Sequence, residues 1–166
     1  DGWNEAVIAR TIAAAIPNDT ALFVSSSRPI RDLEGFALPR SGVETYANRG
    51  LAGIDGNIST ALGIATAHKS TIAILGDLSF LYDLTGLINK EAINCRFIVI
   101  NNDGGGIFST LPQRGSDGFE TVFGTPHGLN PAKIAESMGF AAKQISNLKE
   151  LEAEIKAPIS GISVVV

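Results

Sequence analysis

Two polar segments of this chain carry residue types that could bind a metal ion and a diphosphate. Gly76-Asp77-Leu78-Ser79 follows the apolar run 71–75, and Asn101-Asn102-Asp103-Gly104-Gly105-Gly106 follows the apolar run 97–100. A carboxylate and a carboxamide at the ends of neighbouring parallel strands can share one hard cation such as Mg²⁺, which prefers oxygen ligands. The glycines would let the backbone approach a diphosphate closely. This pattern predicts a magnesium–diphosphate site.

In this interpretation the side chains of Asp77 and Asn102 and the backbone carbonyl of Gly104 supply the metal ligands. Ser79 would donate to a phosphate or cap the following helix, and both roles stay open. Each segment taken singly is also typical of an ordinary turn. The chain has no Walker A pattern and no Gly-x-Gly-x-x-Gly pattern, so the diphosphate is expected to belong to a cofactor other than ATP or NAD.

Length and composition narrow the class of protein. The 166-residue chain has a net charge of −4 and one cysteine, which suits one domain without an internal disulfide. The acidic balance argues against nucleic-acid binding, because a duplex-binding surface is basic. No apolar stretch approaches the roughly 20 residues of a membrane-spanning helix. We expect a cytoplasmic protein, and the abrupt ends of the chain favour a single domain, residues 1–166, excised from a larger one.

The chain must position these polar segments through alternating helices and strands. That alternation predicts an α/β fold with a doubly wound, mostly parallel sheet and helices on both faces. Ligands of such sheets bind beyond the carboxyl ends of the strands, where residues 25–27, 76–77 and 101–106 are expected to lie. Residues 25–29 are predicted to form a polar loop after the first strand, and residues 102–130 are predicted to form a long functional loop. Predicted helices cover residues 3–16, 57–68, 81–93, 131–138 and 147–155, and predicted strands cover 21–24, 44–46, 71–75, 97–100, 141–145 and 162–166.

The Gly-Asp and Asn-Asn segments together resemble the thiamine diphosphate motif of the decarboxylase and synthase superfamily. Their separation is a few residues shorter than in most members, which is expected to trim the intervening helix or its loop. Finer matches are similar to the 2-succinyl-5-enolpyruvyl-6-hydroxy-3-cyclohexene-1-carboxylate (SEPHCHC) synthase family of the menaquinone pathway. The matching segments are residues 27–32, 48–50 with 53–56, 76–80 with 82–84, 101–108 and 123–127.

The resemblance implies a C-terminal thiamine diphosphate-binding (PP-type) domain with Mg²⁺, or Mn²⁺, held by Asp77, Asn102 and the Gly104 carbonyl. Ile54 would support the bent cofactor from below. Ile107, Phe108 and Leu111 would wall the cofactor pocket. The full set of implied cofactor-binding residues is Ser26, Ser27, Ile54, Gly76, Asp77, Leu78, Ser79, Asn102, Gly104, Gly105, Ile107, Phe108 and Leu111.

Arginines on two of the predicted loops point to acidic substrates. A planar guanidinium binds a carboxylate through two hydrogen bonds, and the resemblance implies that Arg31 and Arg49 contact the carboxylates of 2-oxoglutarate and isochorismate. Arg28 occupies a position that is usually apolar in the family, and it would either add positive potential or be solvated. His127 would either shuttle protons or bond the backbone of its loop.

The implied reaction is decarboxylation of 2-oxoglutarate followed by addition of the succinyl-semialdehyde unit to isochorismate. The family takes its activating glutamate from a pyrimidine-binding domain of the partner subunit, and no residue of this chain can be assigned that role. We therefore expect an inactive fragment of a homodimer or homotetramer. Two alternatives stay open: a different thiamine diphosphate enzyme that uses pyruvate, and a non-catalytic doubly wound binding module.

Overall fold

A computed structural model describes residues 2–88 and 92–166, and it arranges six parallel strands in one sheet. All neighbouring strands that pair do so in parallel, which confirms the predicted α/β class. The strands are β1 (Ala21–Val24), β2 (Thr45–Tyr46), β3 (Thr71–Gly76), β4 (Cys95–Ile100), β5 (Ala141–Lys143) and β6 (Ile162–Val165).

The order of the strands, β2-β1-β3-β4-β6-β5, makes the sheet doubly wound. From β2 the chain passes back over β1 to reach β3, so the direction of winding reverses between β1 and β3. Parallel sheets of this kind bind ligands beyond the carboxyl ends of the strands at such a reversal. The loops that follow β1 and β3 therefore flank the expected ligand position.

Within the described ranges, six α-helices connect and cover the strands. Three short segments of other helical type occur in the described part of the chain, namely 3₁₀ turns at Leu84–Leu87 and Gly106–Thr110 and a π-helical turn at Glu120–Gly124. The α-helices are α1 (Glu5–Ala15), α2 (Arg28–Phe36), α3 (Asn57–Ala65), α4 (Asp77–Tyr82), α5 (Pro131–Ser137) and α6 (Leu148–Lys156).

The side chains of the central strands alternate between two hydrophobic cores. On β3, Ala73 and Leu75 face the core that α3, α4 and α5 cover, whereas Ile72 and Ile74 face the core under α1 and α6. Both faces of the central strands are thus buried, which explains why they are continuous apolar runs. Cys95 lies in the first core, where burial raises the pKa of its thiol to about 12. The thiol therefore stays protonated near neutral pH and packs as a small apolar group.

Two helical assignments differ from the sequence-based prediction. Residues 25–29 were expected to form a loop, yet α2 begins at Arg28 with Pro29 in its first turn. Proline is tolerated there because the first turn needs no backbone N–H bond. The helix predicted over 81–93 is also wrong in its bounds, because α4 begins at Asp77 directly after β3 and ends at Tyr82. Residues 89–91 of that prediction lie outside the described residues.

The remaining boundaries shift by a few residues. The helix predicted over 57–68 ends at Ala65, and the strand predicted over 141–145 ends at Lys143. The long loop predicted over 102–130 is present, but it contains the 3₁₀ and π-helical turns. Within the described residues, no helix has the length and apolar character needed to cross a membrane.

Candidate functional site

The polar segments singled out from the sequence come together at the carboxyl edge of the sheet. Val24 pairs with Ile74 across β1 and β3, and Gly76 pairs with Ile100 across β3 and β4. The residues that follow these strands therefore start at similar heights along the edge. This register brings the loop after β1, the start of α4 and the loop after β4 into one region.

Asp77 is the most constrained acid of this region. Its side chain is almost completely buried, with 2 % of the residue exposed. Oδ1 accepts a hydrogen bond from the backbone N–H of Leu78 at 2.7 Å, and Oδ2 accepts one from the N–H of Gly104 at 2.9 Å. The carboxylate thereby joins the end of β3 to the glycine segment after β4.

His127 makes a further contact with the same carboxylate, across a sequence separation of 50 residues. Its Nδ1 atom accepts a hydrogen bond from the backbone N–H of Leu129 at 2.9 Å, and Nε2 lies 3.2 Å from Asp77 Oδ2. An Nδ1 that accepts leaves the proton on Nε2, so Nε2 donates to Asp77. Of the two roles left open for His127, the backbone contact is present, and the contact with Asp77 was not foreseen.

Asn102 points its amide nitrogen towards α1. Nδ2 donates to Oε1 of Glu5 at 2.7 Å, although 97 positions separate the two residues. The preceding Asn101 stabilises the turn, because its Oδ1 accepts from the N–H of Asp103 at 3.1 Å. Sequence analysis did not identify Glu5 as a site residue, because an acid in the first turn of a helix is common for purely local reasons.

The glycines after Asn102 pack tightly against the π-helical turn. The N–H of Gly105 donates to the carbonyl of Gly124 at 2.7 Å. A Cβ atom on Gly104 would lie 2.1 Å from the Gly124 oxygen, and one on Gly105 would lie 2.1 Å from the Phe123 oxygen. Gly104 also has a φ of +138°, which side chains rarely adopt. Close backbone packing therefore requires glycine at both positions.

The loop after β1 is fixed by hydrogen bonds to its neighbours. Ser26 is buried and donates from Oγ to the carbonyl of Asn48 at 3.2 Å. Ser27 has a φ of 75°, a strained value for a residue with a side chain. Its carbonyl accepts from Nη1 of Arg31 at 2.8 Å. The hydrogen bond from Ser26 to Asn48 links the residues just before α2 to the loop that carries Arg49.

Arg31 and Arg49, the two arginines assigned to substrate, are both exposed. Arg49 lines an open groove of about 680 Å³ that residues 47–53 and Asp55 form. Ile54 is half-buried in the same glycine-rich loop, just before α3. Both guanidinium groups therefore remain accessible to an acidic ligand.

Phe108, which was predicted to wall the cofactor pocket, belongs to a small cluster of aromatic rings. The Phe108 ring packs on Phe123 with centroids 5.3 Å apart, and Phe119 lies 5.9 Å from Phe123 on centroids. Ile107 is half-buried beside Phe108, and Leu111 is exposed. At the start of α4, Leu78 is half-buried and Ser79 is buried.

Arg28 is not a free cation, because it forms ion pairs with two acids. Its Nη2 lies 2.7 Å from Oε2 of Glu5 and 2.9 Å from Oδ1 of Asp32. Asp32 is buried, and this burial raises the pKa of its carboxyl against the opposing effect of Arg28. Of the two roles left open for Arg28, the structure shows neither, since the guanidinium is paired within the protein.

The donors at this edge suit a hard cation. Asp77 offers a carboxylate, Asn102 an amide oxygen and Gly104 a backbone carbonyl, and Mg²⁺ prefers such oxygen ligands. Among the described residues, no cluster of three or more His, Cys, Asp or Glu side chains could hold a metal ion. A metal at this edge would therefore depend on the amide and backbone oxygens beside Asp77.

Known proteins resemble this chain in both sequence and fold. The SEPHCHC synthase of Thermobifida fusca is 45 % identical over 82 % of this chain and 26 % of its own length. The Staphylococcus haemolyticus SEPHCHC synthase is 43 % identical over 91 % of this chain and 28 % of its own length. The chain thus spans about a quarter of these relatives.

A solved structure confirms the fold. The thiamine diphosphate-dependent 4-hydroxybenzoylformate decarboxylase of Rhodococcus jostii RHA1 superposes with a TM-score of 0.77 at 20 % identity, over 99 % of this chain and 32 % of that protein. A family model described as "Thiamine pyrophosphate enzyme, C-terminal TPP binding domain" matches residues 35–166. The chain therefore belongs to the family of C-terminal TPP-binding domains of thiamine pyrophosphate enzymes.

Proposed function

We propose that this chain is the diphosphate-binding domain of a larger Mg²⁺-dependent SEPHCHC synthase. Its reaction would be decarboxylation of 2-oxoglutarate and addition of the succinyl-semialdehyde unit to isochorismate, a step of menaquinone biosynthesis. One observation carries the proposal. Asp77 and Asn102 lie at one sheet edge, and 82 % of this chain aligns with a SEPHCHC synthase at 45 % identity.

Asp77, Asn102 and the Gly104 carbonyl would hold the Mg²⁺ ion, or Mn²⁺ in its place. Support comes from the hydrogen bond between the Gly104 N–H and Asp77, which already ties two of the donors together. The carboxylate of Asp77 is buried, and a bound cation would compensate the burial of its charge. The donor set fits the group, since every ligand atom is an oxygen.

The cofactor would lie across the carboxyl ends of β1, β3 and β4. When bound, thiamine diphosphate supplies an electron sink for the decarboxylation of a 2-oxo acid. The chain's own residues would orient it: Ser26 and Ser27 from the loop after β1, and Ile54 as the apolar support beneath it. The other proposed contacts are Gly76, Leu78, Ser79, Gly105, Ile107, Phe108 and Leu111.

Arg31 and Arg49 would bind the carboxylates of the substrates. Support comes from their exposure and from their positions, since Arg31 lies in the first turns of α2 after β1 and Arg49 lies in the loop after β2. Two carboxylate-binding arginines suit the acidic 2-oxoglutarate and isochorismate better than they suit pyruvate. A guanidinium binds a carboxylate through parallel hydrogen bonds, so each arginine would fix orientation as well as charge.

The remaining catalytic groups would come from elsewhere in the protein. In the proposed arrangement, a pyrimidine-binding domain of a partner subunit supplies the activating glutamate, within a cytoplasmic homodimer or homotetramer. The length of the relatives supports this, since residues matching this chain make up 26 % of the Thermobifida fusca protein.

Calorimetry on the full-length protein tests the metal and cofactor assignment. Wild-type protein is expected to bind thiamine diphosphate only with Mg²⁺ present. Asp77→Ala is expected to abolish the heat of this binding, because it removes the charged metal ligand. Glu136→Ala, which removes an exposed acid from α5, is the matched control and should bind normally. Equal binding by Asp77→Ala and wild type would refute the assignment.

Substrate assays on the same preparation test the reaction. We expect the protein to consume 2-oxoglutarate only together with isochorismate, with release of CO₂, and to leave pyruvate unchanged. Efficient turnover of pyruvate would instead indicate a different thiamine diphosphate enzyme. Mg²⁺-dependent cofactor binding without turnover of any of these substrates would contradict the proposed reaction.

A further inference from the structure

We infer that Glu5, at the start of α1, is a positioning residue for the metal ligand Asn102. It would select the amide orientation in which Nδ2 faces α1 and Oδ1 is presented to the cation. This inference rests on the proposed function, because it assumes that Asn102 binds the metal. The observation that carries it is the 2.7 Å hydrogen bond from Asn102 Nδ2 to Glu5 Oε1.

The hydrogen-bonding chemistry of the two side chains favours one orientation of the Asn102 amide. An ionised carboxylate only accepts hydrogen bonds, whereas a carboxamide has a donating end and an accepting end. If the amide were rotated by half a turn, Oδ1 would face Oε1 and two acceptors would repel each other. The hydrogen bond to Glu5 therefore engages Nδ2 of Asn102, and Oδ1 is the end of the amide that remains for another partner. A metal ion needs that oxygen, since the amide nitrogen offers it no lone pair.

Glu5 is itself held in place by charge. Its second oxygen, Oε2, lies 2.7 Å from Nη2 of Arg28, so the two carboxylate oxygens serve different partners. Arg28 is fixed in turn by Asp32, at 2.9 Å from Nη2 to Oδ1 and 3.2 Å from Nε to Oδ2. A guanidinium held through two hydrogen bonds has little freedom to rotate. The chain Asp32–Arg28–Glu5 thus connects α2 to Asn102.

The local structure of α1 supports a defined position for Glu5. Asn4 caps the helix by accepting from the N–H of Val7 at 3.1 Å, and Glu5 is the first helical residue. An acid in the first turn of a helix interacts favourably with the helix dipole. Outer hydrogen bonds of this kind orient metal ligands, and their loss typically costs about 10- to 100-fold in metal affinity.

The test uses the full-length protein, with Mg²⁺ titrated at saturating thiamine diphosphate and binding followed by calorimetry. Glu5→Gln keeps the size of the side chain but can either accept from Asn102 Nδ2 or donate to Asn102 Oδ1, so it no longer selects one orientation of the amide. We expect its Mg²⁺ dissociation constant to rise about tenfold. Glu34→Gln removes the same charge from an exposed position on α2 and should leave the constant unchanged.

A second pair of variants separates positioning from a structural role. Asn102→Asp places a carboxylate against Glu5, so we expect repulsion and weaker Mg²⁺ binding than in the wild type. Combining it with Glu5→Gln gives the new carboxylate a donor, so the double variant should bind Mg²⁺ about tenfold more tightly than Asn102→Asp alone. A general loss of stability cannot produce such a recovery.

Several outcomes would overturn the inference. Wild-type Mg²⁺ affinity in Glu5→Gln would show that Glu5 does not orient the ligand. If the rise in the Mg²⁺ dissociation constant of the double variant equals the product of the rises in the two single variants, the role of Glu5 is structural only. Either of these two results leaves the proposed function intact as long as Asp77→Ala abolishes Mg²⁺-dependent cofactor binding. Absence of that binding in the wild type would refute the proposed function and this inference together.

Discussion

At the scale of single residues, the polar side chains of this domain are held by partners that are distant in sequence. Arg96, on β4, is 7 % exposed and donates to the carbonyls of Glu154, Ala157 and Pro158 at the end of α6. Burial lowers the pKa of this guanidinium, but an arginine remains charged at any ordinary pH. Its role is to satisfy carbonyls that the last turn of a helix leaves without partners.

Replacing Arg96 by methionine is expected to lower the free energy of unfolding by about 3 kcal/mol, since buried carbonyls would lose charged hydrogen-bond donors. Lysine at this position should recover only part of the loss, because an ammonium lacks the planar fork that reaches several carbonyls. Urea denaturation of the full-length protein, monitored by circular dichroism, measures both effects. Full stability of Arg96→Met would show that water satisfies the carbonyls instead.

At the scale of elements, α3 obtains its N-terminal cap from another helix. The residue before it is Gly56, in the left-handed region with a φ of +66°, and glycine has no side chain to cap with. Asp83, at the end of α4, replaces that cap: its Oδ2 accepts from the N–H of Ser59 at 2.8 Å, and Oδ1 accepts from Ser59 Oγ at 3.3 Å. The two helices are therefore coupled beside the cofactor-binding edge.

Asp83→Ala should destabilise the protein by about 1–2 kcal/mol, the usual cost of removing a capping side chain. Asp83→Asn keeps one acceptor and should lose less. Thermal unfolding of both variants checks the order, with Asp117→Ala, at an exposed position of the 102–130 loop, as the control for loss of an acid. If the alanine and control variants unfold at the same temperature, the cross-helix cap contributes nothing measurable.

At the scale of the whole molecule, we expect this domain to form only part of an active site. The proposed ligands gather at the carboxyl ends of β1, β3 and β4, and the two proposed substrate arginines are exposed to solvent. The activating glutamate is expected to come from a partner subunit. Leu51 and Ile88 are large apolar side chains that are 92 % and 76 % accessible, which is compatible with further protein packing against them.

We therefore expect the isolated 166-residue chain to show no steady carboligation with 2-oxoglutarate and isochorismate, and to bind thiamine diphosphate weakly at best. Activity is expected only in the full-length protein, because half of the proposed site lies outside this domain. Side-by-side assays at equal molar concentration make the comparison. Sustained turnover by the isolated chain would contradict the shared-site arrangement.

The amino-acid sequence by itself determined the class of fold and the location of the proposed site. Buried runs such as 71–75 and 97–100 specify central strands of a parallel sheet, and the polar residues directly after them must fall at its carboxyl edge. The Gly-Asp and Asn-Asn segments were predictable for this reason. Local signals also explain the errors, since Pro29 suggested a loop but occupies the first turn of α2.

Only the tertiary structure decided which side chains hold that site in place. Glu5 meets Asn102 across 97 positions, His127 meets Asp77 across 50, and Asp83 meets Ser59 across 24. Contacts of this kind depend on strand order and register, and no local propensity or spacing encodes them. The pair of Asp77 and Asn102 could thus be found from the sequence, whereas the orientation of their oxygens depends on residues that only the folded chain brings beside them.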